Sequence, residues 1–377
     1  MAEYYDTGDP ETVKLWSKKL WREFRKADAV FDPKNGFIGE DYTANPFVMI
    51  DEAENSAGDR VRTNFIQQLE GRGVIGDAVL EGKEEPPVTS THDIVIDEQI
   101  HGVKTRGKMS QQRVTFDAMK EAKNLLRDWW KRRRAVSVVN HLCGYTVQTD
   151  LAYSGLNAPQ APDDQHIYRI NQGLGTSNDQ TVAADTTATF DVPIVDELVT
   201  IAELLTPPIA PFVIDGNEYY GFLLHPDVVA DLRDANAEWY KTMQNALQGG
   251  QVRNNPIFNR ALGMWRNVLF FSEPRITQGV NSSTGATVAN TRRCVFFGAG
   301  AMQIAYGRRE RGSEEHYSWH NGTWDHGRKY YASAGMIWGC NATRFTINGT
   351  ARDYGKIVVT AYSAPRLTGL VNIDQPV

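Results

Sequence analysis

The sequence predicts an α+β fold, and three observations predict it. Residues 111 to 140 keep a helical apolar stripe far beyond the usual helix length of about 11 to 12 residues. Short apolar runs of strand length recur in the second half, at Tyr219–Leu224, Val268–Phe271, Cys294–Phe297, Arg344–Ile347 and Lys356–Tyr362. Helices and strands alternate without strict βαβ order, which argues against a parallel α/β sheet. With 377 residues, 41% of them hydrophobic, the chain is long enough for one large core or two modest ones.

Residues 10 to 29 have the period of an amphipathic helix. Val13, Trp16, Leu20, Phe24 and Ala27 share one face, and Lys14, Lys18, Lys19, Arg22, Arg25 and Lys26 lie mainly elsewhere. Such a charge run is ordinarily a solvated face. Tryptophan is a typical interface anchor, however, so the helix is also a candidate docking arm through Trp16, Leu20, Trp21, Arg22 and Phe24. Residues 32 to 60 are expected to be irregular, broken by Pro33, Gly36, Gly39 and Pro46. From residue 63 to 110, a short helical start at Phe65, Ile66 and Leu69 meets the glycine-rich Gly71–Asp77 and a charged tip, Glu81–Pro87. Strand-like runs follow at Ile94–Ile96 and His101–Thr105. Flexible glycines, a charged tip and two short extended arms predict a long β-hairpin with little core of its own. Such an element must lie on something else to be stable, which makes Glu81, Lys83, Glu84 and Glu85 further candidate interface residues.

The helix of residues 111 to 140 carries Phe116, Met119, Ala122, Leu126 and Trp129 on its stripe. Val136 and Val139 extend it and Gly144 closes it, so it is read as a structural spine. The run Lys131–Arg134 is expected to be a solvated or salt-bridged face. Pro159–Ala188 is polar and loop-like. A helix follows with Ile194, Leu198, Ile201 and Leu205 on one side, Pro193 near its start and Pro207–Pro208 at its end. The apolar strand Tyr219–Leu224 leads through His225–Pro226 into another helix, whose inner face is Val228, Leu232, Ala235, Trp239 and Met243.

Charge and cysteine usage narrow the function. Forty Lys and Arg face 46 Asp and Glu, whereas a chain built to grip nucleic acid carries net positive charge or a large basic face. Cys143, Cys294 and Cys340 are far apart, odd in number and without CxxC spacing, which argues against a disulfide framework or a cysteine zinc site and fits a reducing cytoplasm. Met1–Pro10 is acidic and polar, unlike a signal peptide, and no apolar run approaches the roughly 20 residues that span a bilayer.

Catalytic signatures are missing. Five residues separate Gly76 from Gly82-Lys83, and Glu84 stands where a P-loop needs Ser or Thr to hold magnesium. Gly298-Ala299-Gly300 follows a strand but lacks the third glycine of a dinucleotide-binding turn. No GxSxG elbow, HExxH or kinase signature occurs. The best metal candidate is His316, His320, Asp325 and His326. It needs a helix to bring its histidines to one face, and its surroundings read as a turn-rich loop of surface polar residues. No cofactor or metal is expected.

A set of short motifs spread along the chain carries a family resemblance. They are Gly73-Val74, Gly76-Asp77, Leu80-Glu81-Gly82 before Glu84-Glu85, Gln112-Arg113, Pro207-Pro208-Ile209 and Ile214-Asp215-Gly216. Leu224-His225-Pro226, Asp231-Leu232-Arg233, Asn254–Phe258 with Ala261-Leu262-Gly263, Phe297-Gly298-Ala299 and Asp353-Tyr354-Gly355 complete the set. In this order and spacing they resemble the N-four-like major capsid proteins of tailed bacteriophages, which have the Hong Kong 97-type capsid fold.

The resemblance implies a division of the chain. Residues 1–60 would be the N-terminal arm, 61–110 the extended hairpin loop and 111–158 the peripheral domain with its spine helix. Residues 159–343 would be the axial domain, and 344–377 the C-terminal strands returning to the peripheral domain. It also implies an icosahedral shell of hexamers and pentamers of this chain around double-stranded DNA, without sequence-specific binding. The shell would be assembled in the host bacterial cytoplasm with portal, scaffold and decoration proteins, and no membrane partner. Because the arm helix begins almost at once, either the scaffold is a separate protein or a propeptide has been removed, and Met1 favours the former. Two readings compete: an encapsulin-like nanocompartment shell, and a soluble binding or hydrolytic domain centred on His316–His326.

Overall fold

In the computed structural model the described residues are 38–41, 45–50, 58–67, 69, 71–77, 79–113, 118–175, 177–214, 216–235, 262–308, 316–347 and 349–366. The predicted arm helix, with Trp16, Leu20, Trp21, Arg22 and Phe24, lies outside them, as do Phe116, Trp239 and Met243. The stretch expected to be irregular contains two strands, β1 (Ile38–Gly39) and β2 (Phe47–Ile50), paired in parallel. Phe47, Val48 and Ile50 are buried. Four apolar residues between breakers are too few for a period to be legible, and only the sheet that receives them makes them a strand.

The next segment corrects the sequence reading twice. Phe65 and Ile66 do not start a helix but end β3 (Arg60–Ile66), which pairs antiparallel with β4 (Thr89–Val95). The second expected arm, His101–Thr105, is not part of that hairpin. It falls in β5 (Asp97–Lys104) and the residue just beyond, and β5 pairs along a long strand of the body.

After the short α1 (Lys108–Gln112) comes the spine, α2 (Ala118–Cys143). Ala122, Leu126, Trp130, Val139 and Leu142 bury its stripe. Gly144, at φ +61°, ends it. The Gly144 and Tyr145 N–H groups donate back to the His141 and Asn140 carbonyls, which closes a left-handed C-terminal cap. A Cβ on Gly144 would lie 2.6 Å from the Gln160 carbonyl oxygen, so glycine is also required sterically. The fully buried Lys356 donates from Nζ to the His141 and Leu142 carbonyls at 3.2 and 3.1 Å, a cation at the negative end of the helix. The basic run on α2 is only partly the solvated face expected: Lys131 pairs with Asp128 and Arg133 lies 3.7 Å over Tyr153, but Arg134 is buried.

The polar stretch Pro159–Ala188 is ordered rather than loop-like. After α3 (Leu151–Ser154) it contains β6 (Ile167–Arg169), β7 (Gly173–Leu174) and α4 (Asp179–Ala184). Asp191 caps α5 (Val192–Leu204), which has proline in its first turn. β8 (Phe212–Ile214), β9 (Asn217–Leu224) and α6 (Pro226–Ala235) follow. Ala235 is exposed rather than on the inner face of α6.

The remaining elements are largely strands. They run β10 (Gly263–Trp265), β11 (Val268–Ser272), β12 (Gly279–Val280), β13 (Thr287–Val288), β14 (Thr291–Phe297) and β15 (Met302–Tyr306). Then come β16 (Tyr317–Trp324), β17 (Lys329–Ala342), β18 (Arg344–Ile347), β19 (Thr350–Asp353) and β20 (Lys356–Tyr362). A six-stranded sheet has the order β1-β2-β15-β17-β16, with β5 also on β17. An eight-stranded sheet has the order β10-β11-β9-β14-β20-β6-β7, with β8 on β9.

Two cores explain the near-continuous apolar runs of the second half. Val295 and Phe297 of β14 face a core shared with α2 and the six-stranded sheet, which includes Leu126, Trp130, Tyr317 and Met336. Cys294 and Phe296, on the opposite face, join Phe222, Phe270 and Val359 beneath α5 and α6. A strand covered on both faces loses its polar alternation. All three cysteines are free and buried. Burial pushes the thiols of Cys294 and Cys340 up to about 12, which leaves them unreactive.

Candidate subunit interface

The β3–β4 hairpin is firmly held at its base and bare at its tip. Val61 and Ile94 are buried in a small core with Val48, Ile50 and Ile96. Phe65 stacks on Phe345 at 4.8 Å, Gln67 donates to the Thr346 carbonyl at 2.9 Å, and the Thr346 N–H donates to Ser90 Oγ at 2.7 Å. Across the strands, Arg62 grips Asp93 with two bonds of 2.7 and 2.8 Å. That guanidinium holds the Asp93 carboxyl below its ordinary range.

Beyond Gln67 the described residues of the hairpin are almost all exposed. Gly73, Gly76 and Gly82 adopt φ of +67°, +70° and +83°, the left-handed region that lets the tip turn repeatedly. The tip is organised by its own carboxylates: Glu84 accepts from the Gly82 N–H and Glu85 from the Gly71 N–H. Glu81, Lys83, Glu84 and Glu85 are exposed. So are Ile66, Leu69, Ile75, Val79, Leu80 and Val88, with relative exposures from 50% to 83%. Each such side chain is worth about 1.5–3 kcal/mol when fully buried, so six bared along one hairpin are a candidate contact surface. The sequence reading named the charges of the tip and missed these apolar residues. Their signal was present as isolated large aliphatics in a glycine- and charge-rich segment, without the period of any element that would bury them.

The histidine-rich segment is not the loop expected. Tyr317–Trp324 is β16, paired residue by residue with β17. His316 is buried and stacks 4.6 Å from Tyr306, whereas His320 and His326 are exposed and Asp325 pairs with Lys329 at 3.0 Å. Among the described residues no group of three or more His, Cys, Asp or Glu side chains is placed to hold a metal ion. No described helix is long and apolar enough to cross a membrane.

One cluster that sequence reading missed braces the eight-stranded sheet against the end of the spine. Asp179 accepts from Arg169 Nε at 2.8 Å, Arg293 Nε at 2.7 Å and the Val280 N–H at 2.9 Å. Burial alone would push its carboxyl up, but Arg293 and Arg169 outweigh it and hold it below the usual range. Arg293 also donates to the Gly144 carbonyl at 2.8 Å, which ties the end of the spine to the eight-stranded sheet.

A two-core body with a projecting, apolar-tipped hairpin is the anatomy of a shell-forming structural subunit of the Hong Kong 97 type. The phage capsid protein family matches residues 5–365, and the chain belongs to that family. It is a structural protein of the virion shell, not an enzyme, and this membership favours a virus over a cellular compartment. The major capsid protein of Pseudomonas phage KPP25 is 27% identical over 151 residues, a match that spans 40% of this chain and 39% of that relative. The solved capsid of Ralstonia phage GP4 is similar with a TM-score of 0.73 and 26% identity, over 97% of this chain and 100% of that one. The capsid of cyanophage Pam1 shares the fold with a TM-score of 0.68 and 20% identity, over 97% and 96% of the two chains.

Proposed function

We propose that this chain is the major capsid protein that tiles the icosahedral, DNA-filled shell of a tailed phage, within the N-four-like branch of its family. The observation that carries the reading is the hairpin: anchored at Phe65 and Gln67, yet bare at Ile75, Val79 and Leu80. A subunit that bares so much apolar surface on a held support is built to bury it on a neighbour. The branch assignment is supported by the ordered motifs, among them Gly76-Asp77, Leu224-His225-Pro226 and Asp353-Tyr354-Gly355.

The parts then have distinct tasks. Residues 1–60 serve as the arm, with Trp16, Leu20, Trp21, Arg22 and Phe24 as its contacts. Within the expected loop of residues 61–110, the β3–β4 hairpin reaches across a neighbour through Glu81, Lys83, Glu84 and Glu85 together with the apolar tip, while β5 stays on the body. Residues 111–158 and 344–377 form the peripheral domain, and 159–343 the axial domain that meets its copies in hexamers and pentamers. Portal, scaffold and decoration proteins are the further partners. Each contact is modest, but arm, hairpin and axial contacts engage together, so closure of a symmetric shell multiplies them. A mildly acidic wall encloses double-stranded DNA without pinning it. Removing residues 78–90 tests this. The variant keeps the fold of the body by circular dichroism but forms no closed shells by electron microscopy; normal shells would overturn the reading.

A further inference from the structure

The β16–β17 turn gathers a basic and partly apolar patch that has no role in the fold described above. The register sets Lys104 beside Tyr331 and Trp324 beside Lys329. The chain after β5 stays against β17, because the Thr105 N–H donates to the Tyr330 carbonyl and the Tyr330 N–H to Thr105 Oγ1, both at 2.9 Å. Lys104 Nζ lies 3.4 Å and Lys329 Nζ 4.8 Å from the ring of Trp324, which stays half exposed between them. Arg106 and Lys108, just beyond Lys104 in the chain, and Arg328, next to Lys329, are exposed as well, with Tyr331 and Met109 also bared, in a chain whose net charge is −6.

We propose that this patch is the seat for the hairpin tip of a neighbouring copy. The inference rests on the reading of the hairpin as an intersubunit element and names its receptor. The two surfaces match in both respects. Residues 71–87 carry Asp77, Glu81, Glu84 and Glu85 against Arg72 and Lys83, and they bare Ile75, Val79 and Leu80. The patch offers cations around Trp324, Tyr331 and Met109.

The tip of the same chain does not reach it. β4 ends at Val95, whose carbonyl packs where a Cβ on Gly339 would stand. One residue, Ile96, joins β4 to β5, and chain reversals take two residues or more. β5 therefore carries the chain from the hairpin to the far end of β17, from Trp338 to Tyr331, about 23 Å at ~3.3 Å per residue. Tip and patch thus lie at opposite ends of one extended run. Double-stranded DNA suits the patch less well. It is held through its phosphates, leaves the apolar residues uncovered, and meets the Asp325 carboxylate within the patch.

Charge reversal tests the pairing in the full chain, expressed with the neighbouring head genes. The patch variant is Arg106→Glu/Lys108→Glu/Arg328→Glu, and the tip variant is Asp77→Lys/Glu81→Lys. Each alone cuts the yield of closed shells at least about tenfold, since like charges across an interface cost several kcal/mol, and the combination restores most of it. The neutral patch variant Arg106→Gln/Lys108→Gln/Arg328→Gln, with an unchanged melting curve, gives a smaller loss and separates misfolding from misassembly. A combination no better than either parent overturns the assignment, as do patch-variant shells formed at normal yield. Normal yield with less packaged DNA would assign the patch to DNA instead. The 78–90 deletion run in parallel separates the two levels. Normal shells from it overturn the hairpin reading itself, whereas blocked shells with indifferent patch variants overturn only the seat.

Discussion

Asp179 shows how much of this subunit depends on single buried charges. It is completely inaccessible, accepts from two arginines of different strands, and takes a third bond from Val280. A buried pair gains little over a well-packed apolar core, but breaking one leaves an uncompensated charge at a cost of about 3–5 kcal/mol. Asp179→Asn is therefore expected to destabilise the isolated subunit by about that amount in urea denaturation; a loss under about 1 kcal/mol would mean that water or another carboxylate neutralises Arg169 and Arg293. Nothing local in the sequence marks this site. Asp179 sits in a polar stretch read as a loop, ten residues from Arg169 and 114 from Arg293, and the three meet only after two sheet strands and a short helix have formed. Gly144 was legible for the opposite reason: its role is written in the helical period that stops one residue before it.

At the scale of elements, legibility followed length and apolarity. The spine, α5 and the core strands β9, β11, β14 and β20 each have enough same-type positions to show a period or an unbroken apolar run. β3 and β16 did not, because Arg60–Ile66 and Tyr317–Trp324 mix polar and aromatic residues whose burial is decided by partner strands far along the chain. The hairpin was anticipated, but its arms are β3 and β4, whereas the expected arm His101–Thr105 belongs to the body through β5. Its tip illustrates the separation of folding from assembly. Ile75 and Leu80 make no contribution to the subunit's own core, so Ile75→Ser/Leu80→Ser is expected to leave subunit stability within about 0.5 kcal/mol of the parent. The same variant is expected to lower shell yield sharply. A matched loss of stability, read by thermal melting, would place the tip in the core of its own subunit and contradict the account.

For the whole molecule, the two sheets and the spine make a body whose thiols are free and buried and whose carboxylates at Asp179, Asp163 and Asp353 are paired. What the body leaves unfinished is at its margins, in the apolar hairpin tip and the basic patch at the β16–β17 turn. A protein designed to act alone would cover such surfaces. The central claim is that covering them is the function, through many copies of one chain. The most direct measurement is electron microscopy of the full chain purified without denaturant after expression with its neighbouring head genes. Closed angular particles of uniform diameter, whose walls consist of this chain, are the expected result. A homogeneous monomer or small oligomer under those conditions would contradict it.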